Sequence, residues 1–132
     1  MWGVTARVAR RWGYIGLMKE LPLATAKQIA KAEYWDLAHC DEIPDVIRFD
    51  HFDTAYNSGV HEAIVLLQRS LGIADDGYFG PETRAKCQTM GSSYYARCAL
   101  AASRLEFYTD LPGWLHDGRG WAKRVAANLR RA

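Results

Sequence analysis

Three polar residues along one predicted helix are the first candidates for chemistry. Asp50, Asp53 and Asn57 are spaced at i, i+3 and i+7, so they share one face of an α-helix. Carboxyl groups placed in this way can act as general acids or bases, or accept hydrogen bonds from a ligand. A polar stripe on a mostly apolar helix is unusual and could form the floor of a cleft. Alternatively, Asp53 and Asn57 form hydrogen bonds that hold the bend at residues 58–59.

Aromatic side chains are a second group that could contact a ligand. Several could stack on a flat ligand face, namely Trp2, Trp12, Tyr34, Trp35, Tyr56, Trp114 and Trp121. Trp35 stands beside Asp36 at the end of a predicted helix and is the best candidate for the wall of a cleft. Aromatic residues at helical spacing are more often part of a core. For Trp121 the core interpretation is favoured, because the last helix needs an anchor.

Other common catalytic and metal-binding patterns are not found in the sequence. It has no G-x-S-x-G motif, no P-loop and no H-E-x-x-H motif, and its histidines lack the spacing of metal ligands. The three cysteines are an odd number without a C-x-x-C pair, which argues against a disulfide framework or a zinc site. We therefore expect neither a metal ion nor a cofactor.

Helical periodicity extends over nearly the whole chain, which predicts an all-α fold. The predicted helix at 44–57 is apolar around much of its circumference and should be central. Gly72 is placed to cap a helix in the left-handed conformation, and Ser92 or Ser93 to begin another. The predicted helices cover approximately residues 4–12, 22–35, 44–57, 60–71, 81–90, 93–109 and 120–131.

Composition and charge exclude several classes of protein. Of the 132 residues, 49% are hydrophobic, which allows one domain with a real core. The formal net charge of +2 falls short of the dense Lys/Arg clustering of a nucleic-acid binder. No apolar stretch approaches the ~20 residues of a membrane span. Basic residues at 119–131 would suit an anionic polymer, or are simply a solvated helix end.

The motifs of the chain occur in an order that resembles a known family. Segments 2–5 (WGVT) and 30–36 (AKAEYWD) resemble the second half of the glycoside hydrolase family 108 lysozyme domain. The peptidoglycan-binding region of that family is similar to segments 52–59 (FDTAYNSG), 63–69 (AIVLLQR), 76–83 (DGYFGPET), 104–108 (RLEFY), 111–112 (LP) and 118–125 (GRGWAKRV). The resemblance implies a lysozyme-like helical fold and N-acetylmuramidase hydrolysis of the cell-wall glycan. It also implies peptidoglycan glycan strands as the binding partner.

One part of the family pattern is not found in these 132 residues. Members of the family begin with a helix that carries an EGGY motif, whose glutamate is the expected general acid. Here Met1 directly precedes Trp2, so the fold is expected to be N-terminally truncated and we assign no catalytic residue. The predicted contacts to substrate are Trp35, Asp53, Tyr56 and Asn57.

Several functional hypotheses follow from this departure. The chain is part of a lysozyme-class hydrolase with a start further upstream, a non-catalytic peptidoglycan-binding or secretion-accessory module, or an inactive prophage remnant. We expect the 132 residues alone to be inactive. Residues 1–36 are predicted to be a remnant of the catalytic region, and residues 37–132 a peptidoglycan-binding-like helical region, with both packed as one domain.

The same departure leads to expectations about surfaces and location. A surface once covered by a missing helix should be an apolar groove, be filled by a homodimer, or lower the stability. Residues 1–12 lack the apolar region of a signal peptide. Access to the cell wall would then need another route, such as the holin-type release of phage endolysins.

Overall fold

Glycines, prolines and capping residues divide the chain into helices in the computed structural model, which describes residues 2–90 and 93–131. Within that part of the chain no strand occurs, so the all-α prediction is confirmed. A π-helical turn at Lys31–Trp35 continues α2, and 3₁₀ turns lie at Met18–Glu20 and Cys40–Glu42. The α-helices are α1 (Ala6–Arg11), α2 (Leu23–Ala30), α3 (Asp45–Ser58), α4 (Val60–Leu71), α5 (Pro81–Met90), α6 (Tyr94–Thr109) and α7 (Trp114–Leu129).

Local capping explains where α4 ends and where α6 begins. Gly72 ends α4 with φ 71°, as predicted, in the left-handed region where glycine carries no steric cost. The Ser93 side chain accepts a hydrogen bond from the Ala96 amide at the start of α6; Ser92 lies outside the described residues. These caps satisfy backbone groups that have no partner within a helix.

The beginning of α7 differs from the prediction. The helix begins at Trp114 rather than near Gly120, so Gly118 and Gly120 lie inside it. Gly118 is buried, and a Cβ at that position would come within 2.5 Å of the Trp114 ring. The packing of this ring over the next helical turn therefore outweighs the low helix propensity of glycine.

Helix α3 is the central element, as its apolar circumference predicted. It packs against α4, α6 and the Lys31–Trp35 turn, and α6 in turn packs against α4 and α7. The main core contains the fully buried Ile43, Ile47, Leu66, Leu67 and Leu100. A separate cluster between α6 and α7 includes Trp121, as favoured for this residue. No helix in the described part of the chain is long and apolar enough to span a bilayer.

The turn between α4 and α5 is organised by one buried glutamine. The Gln68 amide nitrogen lies 2.9 Å from Asp76 Oδ1, 2.9 Å from the Tyr78 carbonyl oxygen and 3.1 Å from Thr83 Oγ1. Its amide oxygen accepts a hydrogen bond from the Gly77 amide at 2.9 Å. Gln68 in the 63–69 motif therefore holds the turn formed by the 76–83 motif. The two motifs occur together for a structural reason.

Candidate functional site

An apolar groove runs between α2 and α3. It consists of two adjoining cavities of about 290 and 320 Å³ that share Lys27, Ala30 and Phe52. We call this surface the α2–α3 groove. The remaining lining residues are Trp2, Leu23, Ala26, Lys31, Trp35 and Tyr56. A groove with mostly apolar walls and a few polar groups is typical of small-ligand sites.

Residue spacing on the two helices creates the groove. Phe52 and Tyr56 are four residues apart on α3, so their side chains lie on the same face. Ala26 and Ala30 have the same relation on α2. Because alanine side chains are short, the two helices leave space between them, and the larger aromatic side chains form the walls.

Trp35 is fixed as one wall of the groove. Its ring packs against Phe52 with the ring centroids 5.3 Å apart and the planes tilted by 57°. Its indole nitrogen donates a hydrogen bond to Asp41 Oδ1 at 2.9 Å. The sequence suggested Trp35 as the wall of a cleft. In the structure this residue lines the groove, and its indole N–H group is already paired with Asp41.

Tyr56 and the first residues of the chain close one end of the groove. The Trp2 indole nitrogen donates to the Leu21 carbonyl at 2.9 Å, and the Tyr56 hydroxyl donates to the Trp2 carbonyl. A Cβ at Gly3, where φ is 80°, would lie 2.6 Å from the Tyr56 oxygen. Burial raises the pKa of Tyr56, which keeps its hydroxyl protonated as a donor. The Trp2-Gly3 step thus fits only with glycine at its second position.

Asp53 is held by side chains from α6 and α7. Its Oδ2 atom lies 2.9 Å from the Arg104 guanidinium and 2.8 Å from the Asn128 amide nitrogen. Its Oδ1 atom lies 3.3 Å from the Arg124 guanidinium and 3.1 Å from the Asn57 amide nitrogen. With four donors around one carboxylate, little acceptor capacity is left for a ligand. The geometry favours a structural role, and substrate contact by Asp53 and Asn57 stays a prediction.

Asp50 lies in a different cleft from the α2–α3 groove. The carboxylate is 3.5 Å from the Arg97 guanidinium, in a space of about 320 Å³ that is also lined by Phe49, Tyr94 and Arg131. Burial raises the pKa of Asp50, although Arg97 opposes this effect. The polar stripe on α3 is thus divided, with Asp50 beside Arg97 and the other two residues in the Arg104 network.

The groove lies within a segment that matches a known family. Residues 1–59 match the family model described as glycosyl hydrolase 108. This segment of the chain is therefore similar to the glycosyl hydrolase 108 family. Every lining residue of the groove, from Trp2 to Tyr56, falls inside the family 108 segment. Arg104, Arg124 and Asn128, which hold Asp53, all come from beyond it.

Nearly the whole chain is also similar to a solved structure. The structure of Brucella abortus SagA matches with a TM-score of 0.85 and 27% sequence identity, and the match covers 98% of this chain and 76% of that one. No curated protein matches the sequence. Together the family 108 segment and this match confirm the lysozyme-like assignment. A peptidoglycan-related, lysozyme-like role follows from it.

Glu33, two residues before the groove-lining Trp35, is unsuited to be a general acid. It accepts a hydrogen bond from the Trp12 indole nitrogen at 2.9 Å and pairs with Arg11 at 2.6 Å. Both contacts lower the pKa of Glu33, that with Trp12 most strongly, whereas a general acid must hold its proton near neutral pH. Among residues 2–90 and 93–131, no carboxyl group lines the α2–α3 groove.

Metal-ligating side chains and thiols are further candidates for chemistry in the described part of the chain. Residues 2–90 and 93–131 contain no group of three or more His, Cys, Asp or Glu arranged to hold a metal ion. Cys40 and Cys87 are buried, and burial raises their pKa to about 12 and about 11. These thiols are therefore poor nucleophiles, because the thiolate is the reactive form.

Proposed function

We propose that the α2–α3 groove binds a peptidoglycan glycan strand. The observation that carries this proposal is that an aromatic groove lies wholly within the glycosyl hydrolase 108 segment. Sugar rings present flat C–H faces that pack on aromatic side chains, and Trp35 and Tyr56 offer such surfaces. Of the four predicted contacts, these two are the ones we propose for the groove.

Two lysines suit the polymer as well as the sugar rings. Lys27 and Lys31 line the groove and both are exposed. Lys31 is paired with Asp36 at 2.7 Å, a contact that water screens and that a ligand can replace at small cost. Peptidoglycan carries carboxylates on its lactyl and peptide groups, so positive charge at the rim would attract it.

Substitution of the groove wall should weaken glycan binding. We expect Trp35→Ala to reduce binding to purified, insoluble peptidoglycan about tenfold, since a well-packed aromatic residue often dominates a binding surface. The measurement is the free protein fraction after co-sedimentation over a range of peptidoglycan concentrations. Tyr95→Ala is the matched control, because Tyr95 is an aromatic residue that is 80% exposed and does not line the groove. Unchanged binding by Trp35→Ala would exclude the groove as the glycan site.

We further propose that these 132 residues bind glycan without cleaving it. Glycosidases use a pair of carboxyl groups on either side of the scissile bond. In the described residues the groove has no such group, Glu33 is held ionised, and Asp50 lies in another cleft beside Arg97. The side chains at hand would position a strand, while the acid would have to come from elsewhere.

A turbidity assay tests the absence of cleavage. Purified cell walls mixed with the 132-residue chain should lose no turbidity beyond the buffer control, because no carboxyl group of the described residues lines the groove. Clear lysis would contradict the proposal and would make Asp50 or Asp53 the candidate acid. The variants Asp50→Asn and Asp53→Asn would then identify which carboxylate is needed, with folding of each checked by circular dichroism.

A non-catalytic peptidoglycan-binding or secretion-accessory module is the second candidate function. It is favoured by the same observation, that no carboxyl group of the described residues lines the groove. The coding DNA upstream of Met1 separates the two, because an in-frame EGGY-like stretch would supply the acid of a hydrolase and its absence would favour the accessory module.

A homodimer that covers the groove is a further proposal, and sedimentation equilibrium of the wild-type chain and Trp35→Ala would test it.

A further inference from the structure

The loop that follows α1 exposes two large apolar side chains. Ile15 is 88% exposed and Leu17 is 59% exposed. Their backbone is nevertheless held in place, because the Arg10 guanidinium donates to the Tyr14 carbonyl at 2.7 Å and to the Gly16 carbonyl at 3.1 Å. We call residues 14–17 the apolar loop. An isolated exposed apolar residue is common, whereas two of them on a hydrogen-bonded loop form a defined surface.

The apolar loop is also closed on itself. The Tyr14 hydroxyl donates a hydrogen bond to the Leu17 carbonyl at 2.8 Å. A Cβ at Gly16 would lie 2.6 Å from the Tyr14 oxygen, so the phenol packs directly on the glycine. The loop therefore presents Ile15 and Leu17 in a fixed arrangement, which lowers the entropy lost when they bind to something.

The segment that contains the apolar loop carries net positive charge. Residues 2–20 contain four basic residues and one acidic residue, Glu20. Arg11 is paired with Glu33 at 2.6 Å. Arg7, Arg10 and Lys19 are all exposed and border the loop in sequence. An apolar tip within a basic, exposed segment complements a surface that is anionic outside and apolar beneath.

We propose that the apolar loop inserts into the interface of an anionic lipid bilayer. Ile15 and Leu17 would enter the boundary between headgroups and acyl chains, and Arg7 and Lys19 would contact the headgroups. A protein partner fits less well, since a stable interface buries about 800 Å² on each side and two side chains supply only part of that. Because few groups take part, the binding is weak, reversible and dependent on anionic lipid. It is independent of glycan binding in the groove.

Vesicle co-sedimentation tests the proposal with the full 132-residue chain. Wild type should bind vesicles that contain phosphatidylglycerol and should bind little to pure phosphatidylcholine. The double variant Ile15→Ser/Leu17→Ser should lower the partition coefficient by about tenfold or more. Arg7→Glu and Lys19→Glu should each lower it by about fivefold, and added salt should weaken binding throughout.

A matched control separates this surface from general exposure of leucine. Leu115 on α7 is 91% exposed, and Leu115→Ser should leave the partition coefficient unchanged. The proposal would be overturned by equal binding to neutral vesicles, by no binding at all, or by an equal loss with Leu115→Ser. A change of the double variant from dimer to monomer without an effect on vesicles would assign the loop to self-association instead. Peptidoglycan co-sedimentation of the double variant should be as for wild type, so failure here is distinct from failure of the groove proposal.

Discussion

Asp53→Ala should lower the free energy of unfolding by about 3–5 kcal/mol, the usual cost of removing one partner of a buried ion pair. Arg104 is 1% exposed and lies 2.9 Å from the Asp53 carboxylate. Without the carboxylate its guanidinium stays buried, and within the described part of the chain only the Tyr108 hydroxyl remains as a side-chain acceptor, at 3.0 Å. Arg124 and Asn128 lose an acceptor at the same time. Urea denaturation followed by circular dichroism measures the loss.

Two further variants show whether the buried charge is the cause. Glu106→Ala removes an exposed carboxylate from α6 and should change the stability by no more than about 0.5 kcal/mol. The double variant Asp53→Ala/Arg104→Met removes both charges and should recover much of the loss, because an apolar pair of similar volume tolerates burial. A loss of under about 1 kcal/mol for Asp53→Ala would mean that Arg104 reaches solvent, against its burial.

Acidification from pH 7 to pH 4 should cost about 3 kcal/mol of stability through His51 alone, since one pKa unit corresponds to about 1.4 kcal/mol. His51 is fully buried, and burial lowers its pKa from 6.5 to about 4. Its Nε2–H group donates to the Ala38 carbonyl at 2.8 Å, while Nδ1 has no hydrogen-bond partner among residues 2–90 and 93–131. Protonation of Nδ1 would therefore bury both an N–H group without an acceptor and the positive charge of the imidazolium ring.

The direction of this effect follows from the two pKa values. As the pH falls below 6.5, His51 takes up a proton in the unfolded chain but stays neutral in the folded protein until about pH 4. The contribution is thus complete above pH 6.5 and is lost as the pH falls toward 4. The measurement is a series of urea denaturation curves across this range.

Replacement of the imidazole isolates its share of the pH dependence. His51→Gln keeps an amide N–H that can donate to the Ala38 carbonyl but cannot titrate, so its stability should depend less on pH than that of wild type. His116 is exposed, and His116→Gln should retain the full wild-type dependence. Identical pH profiles for wild type and His51→Gln would show that another group dominates.

The sequence predicts local structure well where one residue decides it. Gly72 and Ser93 end or begin helices because their backbone or side chain satisfies groups at the helix end. The predicted start of α7 was wrong because Gly118 has two opposing physical effects. Its propensity disfavours a helix, but its lack of a side chain admits the Trp114 ring, and propensity alone does not reveal that contact.

The candidate site was predictable in its residue types and not in its contacts. Spacing placed Asp50 and Asp53 on one face of α3, whereas their partners Arg97 and Arg104 come from α6. A signal did exist, because Arg97, Leu100 and Arg104 fall on one face of α6 together with buried positions. Arginine within such an apolar stripe indicates a buried counterion. The groove also depends on how α2 crosses α3, which residue spacing does not determine. The division of the chain into a catalytic remnant at 1–36 and a peptidoglycan-binding-like region at 37–132 stays a prediction.

The ion pair between α3 and α6 has a consequence for modularity. Asp53 lies inside the 1–59 family segment, while Arg104, Arg124 and Asn128 lie outside it. The end of the family match at residue 59 is therefore not a boundary between independently packed parts of the folded protein. Recombination at residue 59 would separate a carboxylate from the guanidinium buried against it, so the two parts can be exchanged between homologues only if these partners are inherited together.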